Sequence, residues 1–242
     1  MRLVLAVAFT LAGALAAPVA NAQPEIGAAC GPAKRSLREP TLAFAAYANG
    51  PVRAFAAPGG RMLRTFGRVN QNGVRTAFGV LAVSRDSSCR ASWYQVQLPM
   101  RPNGLVGWVK AGAVTLDPVR TRLEVDISEH RLRFFRDGRL VLSATAGTGT
   151  DGTPTPTGSY YVNQRFYTLD PSGPFGPGAI GISAFSPVLR DWAQGGPIAI
   201  HGTNDPSSVG RSASHGCIRV DNNLVRRLVR ATETGSPVVI RA

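Results

Sequence analysis

Residues 201–220 read HGTNDPSSVGRSASHGCIRV, a short run that sets two histidines and one cysteine among glycines and serines. A thiol attacks as its thiolate, so it needs a base or a positive field to lower its pKa. His201 and His215 supply two candidate bases. Gly216, between His215 and Cys217, lets backbone approach a substrate closely, and backbone N–H groups around such a turn are natural oxyanion donors. Three simpler readings compete. A lone cysteine is usually a small buried hydrophobe, although glycines, serines and histidines are unusual neighbours for one. Zinc on His201, His215 and Cys217 calls for a fourth ligand, and Asp205 is the only carboxylate in the intervening loop. His201 could be a satisfied core histidine, but a strand end before Gly202 suits an exposed catalytic position better.

Upstream, Ile198-Ala199-Ile200 reads as a short buried strand that leads into His201. Downstream, Leu224, Val225, Leu228 and Val229 fall at helical spacing over Asn222 to Thr232, with Asp221 as N-cap. Val238-Val239-Ile240 reads as a closing strand. Leu123-Glu124-Val125-Asp126-Ile127 alternates apolar and polar as a half-buried strand does. Arg131 to Phe135, Asp137-Gly138 and Leu140 to Leu142 form a hairpin with a tight turn. TPTPTG, residues 153–158, is too rich in Pro and Gly for regular structure. Asn163 to Gly196 is expected as a long loop around one or two short strands. Its Phe166, Tyr167, Phe175, Phe185 and Trp192 are candidates for a substrate groove, with core packing the alternative. His130 reads as a surface residue.

The N-terminal half differs in texture. Met1-Arg2, an apolar run from Leu3 to Ala17 and Ala20-Asn21-Ala22 together read as a secretory signal over residues 1–22. The apolar run is short for a membrane span, and no later segment approaches one. Residues 23–46 read as a linker or arm. Short apolar runs broken by Gly, Pro and Asn over residues 47–117 suggest a small all-β domain. Export favours paired thiols; Cys30 and Cys89 are candidates to pair, which leaves Cys217 as the free thiol. The formal charge is +13, with 27 Lys and Arg against 14 Asp and Glu. Such a balance suits anionic partners, whether nucleic acid, acidic lipid headgroups or anionic wall polymers, but no nucleic-acid motif accompanies it.

From Thr121 to Ala242 the opening strand and hairpin, TPTPTG, IAIHGT, SHGCIR and PVVI fall in the order of the L,D-transpeptidase catalytic domain, the YkuD domain, which this half closely resembles. Residues 93–98 (WYQVQL) and 104–109 (GLVGWV) resemble the ending of bacterial SH3-like domains. The resemblance implies a mainly β fold: an SH3-like small barrel over 47–117, then a β-rich catalytic domain over 121–242 with a short helix near its C-terminus. It implies that Cys217 attacks a donor tetrapeptide stem of peptidoglycan, releases D-alanine and passes the acyl group to an acceptor amine as a 3-3 crosslink. His201 would be the base and the Gly202 carbonyl its orienting partner. His215, Gly216 and Cys217 would frame the oxyanion hole, and Ser214 and Arg219 would serve substrate binding or hold the loop. No metal or organic cofactor is implied, and the location would be secreted, in periplasm or cell wall. The same site would serve an L,D-carboxypeptidase or a transferase that anchors a lipoprotein. A non-catalytic wall-binding protein is the alternative of another class. Papain-like wall hydrolases place cysteine before histidine, and sortases separate the two by far more than the sixteen positions here (217 minus 201).

Overall fold

The structure, a computed structural model, describes residues 35–242. The expected signal over 1–22, the first half of the arm and Cys30 lie outside the described residues. The first sheet holds β1 (Arg35–Ser36), β2 (Ala43–Ala48), β3 (Val52–Phe55), β4 (Met62–Phe66), β5 (Ala77–Arg85), β6 (Ala91–Gln97), β7 (Val106–Lys110) and β8 (Val114–Val119). The strand order is β4-β3-β7-β6-β5-β2-β8, with β1 on β5. The arm expected over 23–46 therefore ends earlier, because Ala43–Ala48 pairs with both β5 and β8. Its alanines are small enough to be buried on both faces of a closely packed sheet. Cys89, after β5, is disulfide-bonded.

The chain crosses into the second half at Arg120. There Glu233 Oε2 accepts from the Arg120 and Thr121 backbone N–H groups and from Thr121 Oγ1. The second half contains β9 (Thr121–Asp126), β10 (Arg131–Arg136), β11 (Arg139–Thr145), β12 (Thr148–Gly149), β13 (Gly158–Tyr167), β14 (Gly178–Phe185), β15 (Pro197–His201), β16 (Ser212–Ser214), β17 (Ile218–Arg219), α1 (Asn222–Ala231) and β18 (Pro237–Arg241). Eight of these strands form one sheet in the order β11-β10-β9-β18-β13-β14-β15-β17, while β12 and β16 pair separately.

Local chemistry accounts for the hairpin and the helix. Asp137 and Gly138 both take positive φ, 49° and 75°, as a two-residue turn needs when it matches strand twist. Asp221 caps α1, its side chain accepting from the Asn223 and Leu224 backbone N–H groups. Val225, Leu228 and Val229 turn into a core shared with Leu123, Tyr160, Ile180, Ile200, Ile218 and Val238. The segment from Asn163 to Gly196, expected as a long loop around one or two short strands, holds the second half of the ten-residue β13 and the whole of the eight-residue β14. Their glycines and polar residues mask any period in sequence, and β14 is buried along seven of its eight positions because sheet neighbours and α1 cover it.

The two sheets pack directly. Tyr161, fully buried on β13, lies against Gly79 of β5 and donates its hydroxyl to the Ala77 carbonyl at 3.1 Å. Burial pushes its phenol well above the ordinary value. The loop over 186–196, between β14 and β15, is held from the other half. Arg101 donates to the Gly195 and Ser186 carbonyls, and Asn103 exchanges two hydrogen bonds with the Phe185 backbone. Among the described residues no helix is long and apolar enough to cross a membrane.

Candidate functional site

Sixteen positions separate His201 from Cys217 in the chain, but β15 and β17 run parallel and side by side. Ile200 faces Ile218 and His201 faces Arg219. Cys217, one residue ahead of Ile218, is thereby set beside Ala199, with Sγ 4.0 Å from the Pro197 carbonyl oxygen.

His201 is buried, at 4% exposure, where an exposed position was expected. Phe175 meets the ring edge-on at a centroid distance of 4.9 Å. Nδ1 lies 2.5 Å from the Gly202 carbonyl oxygen. A carbonyl only accepts, so the hydrogen sits on Nδ1 and the lone pair is left on Nε2. Burial drives the imidazole pKa down to about 4; the Gly202 carbonyl opposes that fall and the Arg219 charge adds to it. The ring is therefore neutral at pH 7.

The carbonyl that orients this ring is itself fixed. Asn222, the first residue of α1, accepts from the Thr203 N–H at 2.8 Å and donates to the Thr203 carbonyl at 3.0 Å. A Cβ on Gly202 would lie 2.3 Å from Asn222 Oδ1 and 2.9 Å from Pro177 Cδ. Only glycine fits there.

The thiol departs from expectation. Burial pushes the Cys217 pKa up, while an Ala199 N–H and the Arg219 charge pull the other way without prevailing. Neither the histidine nor the positive field supplies the lowered thiol pKa anticipated from sequence. Desolvation of the thiolate outweighs them. At neutral pH the resting pair is thiol and neutral imidazole.

Ser214, His215, Gly216 and Cys217 form a loop that is tied to itself. Ser214 Oγ donates to the Cys217 carbonyl at 2.6 Å and accepts from the Gly216 N–H at 3.1 Å. Ser214 is buried at 2% exposure, so its hydroxyl holds the loop and is not presented to a substrate. Gly216 takes φ +111°, a conformation L side chains rarely adopt. Its N–H is spent on Ser214. Among the described residues the His215 and Cys217 N–H groups have no acceptor, and these two remain as donors. His215 is exposed and meets Trp192 at a tilt, with centroids 5.2 Å apart and planes at 47°. Arg219 is half-buried with Nε unpartnered. It makes no ion pair among the described residues, and its charge bears on both His201 and Cys217.

Several contributors escaped the sequence reading. Thr155 Oγ1 donates to the Gly216 carbonyl at 2.9 Å and accepts from the Gly149 N–H at 2.8 Å. Thr153 Oγ1 and the Thr150 N–H both donate to the Ser214 carbonyl. The alternating Thr-Pro pattern was the available signal: proline stiffens an extended strap while each threonine offers a hydroxyl. Of the five aromatic residues singled out, Phe175 and Trp192 flank the two histidines, whereas Phe185 lies beneath the Arg101 guanidinium. His130 is half-buried, with Nδ1 3.4 Å from Thr148 Oγ1. No group of three or more His, Cys, Asp or Glu suited to a metal occurs among the described residues.

This β-rich fold thus presents a buried strand-end imidazole oriented by a backbone carbonyl, and a cysteine in a self-tied loop that leads into the neighbouring strand. Residues 120–240 match the L,D-transpeptidase catalytic domain, and the chain belongs to that family. Among curated relatives it is 32% identical over 124 residues to YkuD of Bacillus licheniformis, a match covering 51% of this chain and 67% of the relative. It is 31% identical over 118 residues to YkuD of Bacillus subtilis, covering 49% and 64%. The chain thus spans about two thirds of these relatives. Among solved structures it is similar to an L,D-transpeptidase from Mycobacterium smegmatis, at 17% identity and a TM-score of 0.43 over 69% of this chain and 91% of that one. It is also similar to an Enterococcus faecium L,D-transpeptidase mutant, at 24% identity and a TM-score of 0.39 over 50% and 49%.

Proposed function

We propose that this chain is an exported peptidoglycan L,D-transpeptidase that uses Cys217 as nucleophile and His201 as general base. The observation that carries the reading is the Nδ1–Gly202 contact, which leaves Nε2 of a neutral, buried imidazole free to take a proton on the strand beside Cys217. Because both partners rest neutral, the thiol is deprotonated as it attacks rather than beforehand.

Sulfur adds to the carbonyl between the third and fourth residues of a donor tetrapeptide stem while His201 accepts the thiol proton. The His215 and Cys217 N–H groups stabilise the oxyanion, and Gly216 sets the turn that aims them. Collapse breaks the C–N bond, the leaving D-alanine takes the proton from His201, and a thioester remains on Cys217. An acceptor amine then attacks the thioester, His201 takes its proton and returns it to sulfur, and an amide crosslink and free thiol result. Arg219 favours developing negative charge on sulfur. Residues 47–117 are read as an SH3-like wall-contacting module, and the positive net charge as attraction to anionic wall polymers.

Mass spectrometry of residues 23–242 with disaccharide-tetrapeptide muropeptides, beside a Cys217→Ala control, tests the reading. A dimer lacking one terminal D-alanine, absent from the control, is expected. Tripeptide without dimer would instead identify a carboxypeptidase, and no Cys217-dependent change would leave a wall-binding role.

A further inference from the structure

A cleft of about 480 Å³ lies between the two halves of the molecule, lined by residues from β4, the turn after it, β13 and the 186–196 loop. Its size is that of a ligand site, and its chemistry is one-sided. Arg64 and Arg101 line it with six carboxamides, among them Gln71, Asn72, Gln164 and Gln194, and no carboxylate or lysine. Part of this set joins the two walls: Gln164 Oε1 accepts from Asn70 and Asn72, and Gln194 donates to Asn72 Oδ1 at 2.8 Å. Other groups are uncommitted. Arg64 meets only the Phe66 ring, 5.7 Å away, and has no carboxylate partner among the described residues. The exposed Gln71 side chain has no hydrogen-bond partner among them either. Pro197 is one of the lining residues, and its carbonyl oxygen lies 4.0 Å from Cys217 Sγ.

We propose that this cleft binds the acceptor: a peptide bearing carboxylates, backbone amides and one side-chain amine that reaches Cys217 past Pro197. The proposal rests on the transpeptidase reading and gives the second half-reaction its own site. Carboxamides both donate and accept, as the peptide backbone does. A guanidinium with no anion of its own matches a stem carboxylate. The same positive field disfavours an ammonium, so an amine carried toward Pro197 and Arg101 is held in the neutral form that attacks. Its nitrogen forms the new amide as the thioester C–S bond breaks, and its proton passes through His201 to the leaving sulfur. The acceptor would thus touch the N-terminal sheet, which gives that sheet a part in the reaction.

The test uses residues 23–242 with Arg64→Ala, Gln71→Ala and the double variant, two exposed positions outside the machinery of the first half-reaction. The donor is tetrapeptide muropeptide. The acceptor is tripeptide muropeptide, which lacks the bond that donates. Acyl-enzyme formation should stay within twofold of wild type, while transfer falls at least tenfold through a raised acceptor KM and the acyl-enzyme diverts to hydrolysis. Arg64→Lys should recover part of the loss. In a Cys217→Ala background, tripeptide muropeptide should bind, and Arg64→Ala should weaken that binding by a similar factor. Unchanged partition and unchanged binding would overturn the proposal, as would equal losses in acylation and transfer. Wild type that binds tripeptide yet forms no acyl-enzyme would retire the transpeptidase reading while leaving the cleft a peptide site.

Discussion

Arg101 Nη1 donates to the Gly195 carbonyl at 2.8 Å across the junction between the two sheets. Its Nη2 reaches the Ser186 carbonyl near the start of the same loop. One guanidinium from the N-terminal half thus ties both ends of the segment that lays Trp192 on His215. A loop with few buried apolar contacts would otherwise sample many conformations.

Arg101→Ala should therefore uncouple the loop from the site. Each charge-assisted bond of this kind contributes on the order of 1.5–3 kcal/mol. Acylation by a tetrapeptide stem should fall severalfold, while alkylation of Cys217 by iodoacetamide stays unchanged. The NMR signals of the His215 ring, displaced by the Trp192 ring current, should move toward their positions in Trp192→Ala. Unmoved signals would count against the tether.

The His201 pKa of about 4 sets two pH dependences. The value is depressed, so between about 6.5 and 4 the unfolded chain holds more of this proton than the folded one. The stability contributed by the neutral buried ring is thus complete above about 6.5 and is lost as pH falls toward 4. The denaturation midpoint of wild type should drop across that window more steeply than that of His201→Gln. Acylation should persist to about pH 5 and fail as His201 protonates, whereas an acid limb near 6.5 would mean the ring is not desolvated in solution.

Gly202→Ala places a methyl group 2.3 Å from Asn222 Oδ1. Either α1 moves or the Thr203 hydrogen bonds break, and both withdraw the carbonyl that orients His201. A loss of about 2 kcal/mol or more is expected, in the range of overpacked sites, with acylation reduced at least a hundredfold. Adding Asn222→Ala should relieve the shorter clash, leaving that with Pro177 Cδ at 2.9 Å, without restoring activity, and thermal melts beside acylation rates would separate the two effects.

Thr155→Val keeps the shape of the strap but removes the hydroxyl between the Gly149 N–H and the Gly216 carbonyl. Leaving both groups unpaired in a buried site costs about 1–3 kcal/mol. The protein should remain folded, with acylation down roughly tenfold because the His215 and Cys217 amides lose their fixed aim. Thr155→Ser should recover most of it. A fully active Thr155→Val would show that Ser214, with Thr150 and Thr153 on its carbonyl, suffices to hold the loop.

Much of the catalytic half was legible from residue order. The alternation of residues 123–127, the Asp137-Gly138 turn and the Asp221 cap each rest on a local rule, and the structure places a strand, a hairpin and a helix there. β13 and β14 were not legible as full strands, because partners from β18, β15 and α1 cover their glycines and polar positions. His201, Gly202 and Cys217 stood out by residue type and spacing. Asn222, Thr155 and Arg101 did not, since each acts on a backbone group 19 to 94 positions away.

By itself the sequence determined the residue types able to do the chemistry, the local turns and caps, and membership of the family, because these follow from neighbours along the chain. Only the tertiary structure decided the protonation states of the pair. Desolvation depends on what packs around a group from distant segments, and that packing buries His201, raises the Cys217 thiol and turns Ser214 inward. The structure alone also decided that a sheet with no catalytic motif would line a cleft with residues of the second half, because a wall shared by two halves exists only once they pack.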